Sequence, residues 1–203
     1  MRDLIILVAD KNAHFALTGA FSRNEALGVR PLECDFIVHP GRDGGVRKTG
    51  CDLLRLERSR FSHGLLVLDF EGSGAAHADG EALEAELDDK LASDWGSAAK
   101  AIVIQPELDI WMWGSDNAVE QAIGWPSGTR LRDWIQRHGF ELDANGKPNR
   151  PKEALEAALR VPRLPRSSAL YQNIAKTISL TRCRDAAFSR LRTKLSEWFP
   201  GAA

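Results

Sequence analysis

Cysteine is scarce: Cys34, Cys51 and Cys183 are the only three in 203 residues, odd in number and scattered. Such a set argues against a disulfide framework and for reduced thiols. None of the three forms a metal-binding spacing with a histidine. Long hydrophobic runs are missing too. The longest near the N-terminus, Leu4 to Ala9 with Asp3 before it, is too short to span a bilayer and lacks the layout of a signal peptide. The expectation is a cytoplasmic protein with no membrane partner. There is no internal repeat and no low-complexity segment, and the glycine-rich "HPGRDGG" (39–45) carries no P-loop pattern. What remains is an ordinary globular composition, 43% hydrophobic and 27% charged, with no bias towards disorder. The length suits one compact domain, or one domain with a small appendage.

A net charge of −1 conceals an uneven distribution. Residues 1–146 hold 15 lysines and arginines against 24 acids, and residues 147–203 hold 12 against 4. That split is a hint of polyanion contact by the basic part. The alternative is that the basic tail docks on the acidic body.

Periodicity organises the first half as βαβαβαβ. "DLIILVAD" reads as a buried strand, residues 12–23 as a helix, and "LECDFIVHP" as a second strand, with "GRDGG" as a loop. "VRKTGCDLLRLERSRF" has helical spacing, and "HGLLVLDFEGSG" (63–74) is a third strand running into two acids. Leu83, Leu87, Leu91 and Trp95 recur every four residues, the mark of an amphipathic helix. "AKAIVIQ" is a fourth strand punctuated by Pro106. This order predicts an α/β fold: a mainly parallel sheet of four strands, or slightly more, flanked by helices. Residues 116–203 read as a helical extension, with Asp116 as an N-cap, Gly139 as a C-cap and Pro151 in a first turn.

In an open α/β sheet, ligands bind beyond the carboxyl ends of the strands. Asp10 follows strand one, Asp69 and Glu71 close strand three, and Glu107 and Asp109 follow strand four. The pattern predicts five acids on one rim, which would repel without a positive partner. Hard oxygen ligands of this kind suit Mg²⁺ or Mn²⁺. Strand side chains repeat every two residues, so Asp69 and Glu71 are expected to point the same way, as a two-pronged clamp. His39 and Arg42 lie on a loop of the same rim and are candidate phosphate contacts.

The strand order, the acid after strand one and "LDFEG" after strand three resemble a Toprim domain, the metal-dependent fold of topoisomerases, primases and OLD-type nucleases. "IQPELDIWMW" resembles the proline–glutamate–aromatic segment of small bacterial Toprim-like proteins, several encoded in phage-defence loci. The resemblance covers roughly residues 1–115, and more weakly the tail. It implies Mg²⁺- or Mn²⁺-dependent cleavage of nucleic-acid phosphodiesters, with Asp10, Asp69, Glu71 and Glu107 as metal ligands. Asp10 and Lys11 would handle proton transfer or transition-state charge. Toprim proteins usually carry glutamate and glycine after strand one, whereas this chain has "VADKNAHF", with Ala9 at the expected glutamate position. A catalytically inactive adaptor or binding subunit of a defence complex is therefore the alternative. Partner subunits and self-association are both open.

The basic residues Arg182, Arg190, Arg192 and Lys194 are candidate phosphate contacts, on a helix whose apolar stripe, Phe188, Leu191, Leu195 and Trp198, marks it as a packing helix. Trp111 and Trp113 are expected to pack in the core or an interface rather than stack nucleobases. Trp125, Trp134 and Trp198 are expected to be core anchors.

Overall fold

The structure, a computed structural model, describes residues 1–201 apart from Ser127 and Arg182. Arg182, a candidate phosphate contact, thus lies outside the described residues. The elements run β1 (Arg2–Val8), α1 (Lys11–Phe21), α2 (Asn24–Leu27), β2 (Cys34–Val38), α3 (Arg42–Leu56), β3 (Phe61–Asp69), α4 (Gly80–Trp95) and β4 (Ala99–Ile104). Then come α5 (Asp109–Met112), α6 (Asp116–Ile123), α7 (Leu131–Arg137), α8 (Pro151–Arg160), α9 (Ser168–Thr177) and α10 (Ala186–Trp198). Short 3₁₀ turns occupy Glu71–Ser73 and Gly96–Ala98.

The four strands form one parallel sheet in the order β2-β1-β3-β4. β1 and β3 read as unbroken apolar runs because both faces of the sheet are covered. Leu4, Ile6, Val8, Leu65, Val67, Ile102 and Ile104 face α1, α9 and α10, whereas Ile5, Leu7, Leu66, Leu68, Ala101 and Val103 face α3 and α4. The expected stripe of α4 is buried throughout. The helices after residue 115 belong to the same core as the first sheet face, which continues to Phe199. They form a layer of that core.

Two local differences from the sequence reading have physical causes. "GRDGG" opens α3 instead of forming a loop. Its glycines are there for close approach: a Cβ on Gly45 would stand 2.4 Å from the His39 ring. α6 is capped by Ser115, one residue before the expected Asp116, which pairs with Arg132 at 2.7 Å instead. Pro151 does open α8, and Gly139 takes the positive φ that suits the end of a helix.

α1 and α9 cross at Gly19, where a Cβ would lie 2.6 Å from the Gln172 carbonyl oxygen and 3.0 Å from Ala175 Cβ. The backbone of α9 cannot move aside without opening the core. Gly19→Ala is therefore expected to destabilise the chain by about 1–3 kcal/mol, the usual range for overpacking, read from urea unfolding midpoints.

Candidate functional site

The chain leaves β1 through α1 to β2 on one side, then crosses to β3 and β4 on the other. The order reverses between the carboxyl ends of β1 and β3, where Asp10 and Asp69 stand. Such a reversal opens a crevice and is the usual ligand site of open parallel sheets.

Asp69 is the last residue of β3, and its Oδ1 accepts from the Leu108 N–H at 2.8 Å. Its own N–H donates to Asp43 Oδ1 at 2.7 Å. Asp43, in the first turn of α3, is a site residue that the candidates above omit. The trace in the sequence is Gly72: a Cβ there would lie 2.5 Å from Asp43 Oδ2, so only glycine admits the carboxylate. Burial pushes the Asp69 carboxyl well above the ordinary carboxylate range, with the charge of Asp43 adding to the shift. Asp43 is raised by burial against two backbone N–H groups that favour its charge, and Asp10 pushes it further up.

Past β4, Glu107 is largely buried and is pushed up to about 7 by burial and then by Asp109, although Lys152 Nζ lies 3.8 Å from Oε2. Asp109 is neutralised within the fold. Tyr171 Oη donates to its Oδ1 at 2.6 Å, and Arg166 reaches both oxygens at 2.9 and 3.2 Å. Arg166 also donates to Tyr171 Oη. This triad pins α5, α9 and the segment between α8 and α9 to the rim.

Glu71 lies just past the strand, close enough to Glu107 for its charge to raise that carboxyl. The chain turns at Phe70, which has helical backbone angles, and Glu71 opens an exposed 3₁₀ turn. The two-residue alternation stops at Asp69, so the strand geometry behind the expected two-pronged clamp does not extend to Glu71. Asp10 is the N-cap of α1, with one carboxylate oxygen accepting from Ala13 N–H at 2.9 Å. Ala9 is buried on the α3/α4 face. Lys11 is exposed beside Asp10.

Lys11 and Arg42 border an open cleft of about 360 Å³ at the ends of β1 and β2. Arg42 is exposed and holds a φ of 51°, in the left-handed region that favours glycine. Strain of that kind is costly, and it gathers at ligand sites. His39, expected to meet phosphate, is instead buried as a brace. Its Nδ1 accepts from Gly41 N–H, which leaves the proton on Nε2 to donate to Thr49 Oγ1, both at 2.9 Å.

The basic residues of α10 are also occupied. Arg190 forks onto buried Glu84 at 2.8 and 3.0 Å and reaches Glu81. Arg192 donates to the Thr181 carbonyl at 3.3 Å, and Lys194 to Glu197 at 2.5 Å. The tail docks on the acidic body through Arg190, whereas the Arg192 and Lys194 contacts stay within the tail. Trp111 and Trp113 are buried, donating to Asp185 and to the Pro151 carbonyl. Trp125, Trp134 and Trp198 are partly buried and lie against the core margin.

Asp43, Asp69 and Glu107 offer the hard oxygen donors that suit a divalent cation, on a rim where their charges crowd one another. Among the described residues, however, no three histidine, cysteine, aspartate or glutamate side chains converge as a group that could hold a metal ion. Such a cage is not needed by Mg²⁺, which is usually bound by one or two carboxylates with waters and substrate phosphates completing the shell. Among the described residues no helix is long and apolar enough to cross a membrane. No protein-family model matches the chain, and neither a curated protein nor a solved structure matches it at a significant level.

Proposed function

We propose that the chain cleaves nucleic-acid phosphodiesters with the help of Mg²⁺ or Mn²⁺ at the rim between β1, β3 and β4. The observation that carries this reading is the crowding of part-buried Asp43 and Glu107 around Asp69, three acids from three segments, beside the point where the strand order reverses. One or two of these carboxylates would hold the cation, which when bound polarises the scissile phosphate and activates water. Glu107, with its carboxyl near 7, can hold or release a proton at neutral pH. Asp10 keeps one oxygen beyond its capping bond, and Lys11 and Arg42 would position the phosphate backbone. Toprim kinship, a cytoplasmic setting and work beside other subunits of a bacterial defence system belong to the same proposal.

Plasmid and single-stranded DNA incubated with Mg²⁺ or Mn²⁺ should be cut by the natural chain and spared by Asp69→Asn. The loss should be about 100-fold or more, matching the several kcal/mol of transition-state stabilisation that a cation supplies. Equal cutting by both would remove the assignment. A second reading, an inert adaptor, is favoured by one observation: Asp10 is committed as a helix cap while Ala9 is packed in the core. No cutting by either protein, with nucleic-acid binding retained, would select it.

A further inference from the structure

Lys147 is 6% exposed, and among the described residues its Nζ has no hydrogen-bond partner. Its ion-pair partner, Asp185 Oδ2, stands 3.9 Å away, beyond hydrogen-bond reach. An ammonium carries three donors, and burying them without acceptors is strongly unfavourable. The backbone nonetheless fixes the lysine there. Lys147 N–H donates to Asp143 Oδ1 at 2.8 Å and its carbonyl accepts from Asp143 N–H at 2.7 Å, a turn allowed by the positive φ of Gly146.

Lys147 lines a cleft of about 280 Å³ together with Pro106, Asn145, Asn149, Arg184 and Asp185. Pro106 lies two residues past the end of β4, and its carbonyl accepts from Glu71 N–H at 3.2 Å. The cleft therefore adjoins the acidic rim. The N-terminus of α10, a 13-residue helix, also opens into it. Its two carboxylates are drawn into the fold: Asp185 Oδ1 accepts from Trp111 Nε1 and Phe188 N–H, and Asp143 Oδ1 from Asn145 and Lys147 N–H. Each carboxylate keeps its Oδ2 beyond these bonds, and beside them the cleft is lined by the donors of Lys147, Arg184, Asn145 and Asn149.

The geometry points to an oxyanion site, and we infer that this cleft binds a phosphate group, with Lys147 and Arg184 as its charge partners and the Asn145 and Asn149 amides as further donors. Charge-assisted bonds from an ammonium and a guanidinium are the strong form of phosphate recognition. The source of the phosphate is the end of a nucleic-acid strand lying across the rim, a part of the inference that rests on the function proposed above. The anion site itself does not depend on it.

Inorganic phosphate, titrated into the full chain at constant ionic strength, should bind saturably and raise the melting temperature. Lys147→Met should weaken that binding tenfold or more, and Arg184→Gln several-fold. Arg184 is exposed, so its variant carries the test if Lys147→Met does not fold. Absence of saturable binding by the natural chain, or equal binding by the variants, would overturn the site and leave Lys147 as a counterion of Asp185 only. A 5′-phosphorylated oligonucleotide should bind about tenfold more tightly than its 5′-hydroxyl counterpart. If inorganic phosphate and mononucleotides bind as tightly as the phosphorylated strand, the strand-end source is overturned in favour of a small phosphate compound. Asp69→Asn should keep the phosphate response while losing cleavage. A chain that binds phosphate but cuts nothing would keep this site and lose the nuclease reading, and the reverse pattern would do the opposite.

Discussion

Arg190→Ala should destabilise the chain by about 1–3 kcal/mol, the cost of leaving a buried acceptor short of a partner. The loss stays in that range because Arg190 is part-exposed and Lys100 stays beside Glu84. Glu84 is 3% exposed and sits in the second turn of α4. Its oxygens receive Arg190 Nε and Nη2, Lys100 Nζ at 3.0 Å and the N–H of Val103 at 2.9 Å. This one carboxylate joins α4, β4 and α10. Without Arg190 it keeps a single cationic partner and part of its charge is stranded. Glu84→Gln made together with Arg190→Ala should recover much of the loss, because no buried charge is then left over. Chemical denaturation of the two variants measures both effects. Had Arg190 been a surface phosphate contact, its removal would have changed stability by no more than about 0.5 kcal/mol and would have lowered nucleic-acid affinity at low salt.

The contrast shows what the sequence could and could not say. The charge split between residues 1–146 and 147–203 was legible, and so were its two meanings, polyanion contact or internal docking. Choosing between them needed the position of Glu84, which the sequence places among four other acids of "GEALEAELDDK" with nothing to mark it as the inward one. The four strands, their parallel order and the stripe of α4 were legible because unbroken apolar runs and four-residue spacing follow directly from burial on two faces or one. Glycine was misleading at 45, where it serves close packing against His39 rather than a turn. The rim acids were found by position, yet the clamp geometry was not, because a period of two holds only while the chain remains a strand. Phe70 ends that condition one residue after Asp69. Asp43 escaped for a similar reason, since a residue in a supposed loop has no predictable direction.

That acid rim should also set how stability responds to pH. Asp43 and Asp69 have carboxyls raised by burial, and Glu107 is raised from 4.5 to about 7. A raised carboxyl means that the folded chain holds its proton where the unfolded chain has released it. Stability must then fall as pH rises through that window, for Glu107 from about 4.5 to about 7. Asp3 acts in the opposite sense. Its hydrogen bond from Arg30 lowers it to about 2, so its contribution is present above the ordinary 3.8 and is lost only as pH falls towards 2. Between these limits the metal-free chain should be most stable in mild acid, with the melting temperature declining towards pH 8. Asp69→Asn keeps an oxygen for the Leu108 N–H and removes a crowded charge. In the absence of divalent cation at pH 7.5 it should therefore be more stable than the natural chain, by about 0.5–2 kcal/mol, the usual gain when a functional compromise is relieved. Mg²⁺ should stabilise the natural chain and flatten its decline with pH, because a bound cation replaces the protons that the acids would otherwise keep. It should do neither for Asp69→Asn. A variant that loses activity while gaining stability marks Asp69 as a residue retained for chemistry. One that loses stability instead would show that the carboxylate holds the rim together, and the case for a cation there would fall with it.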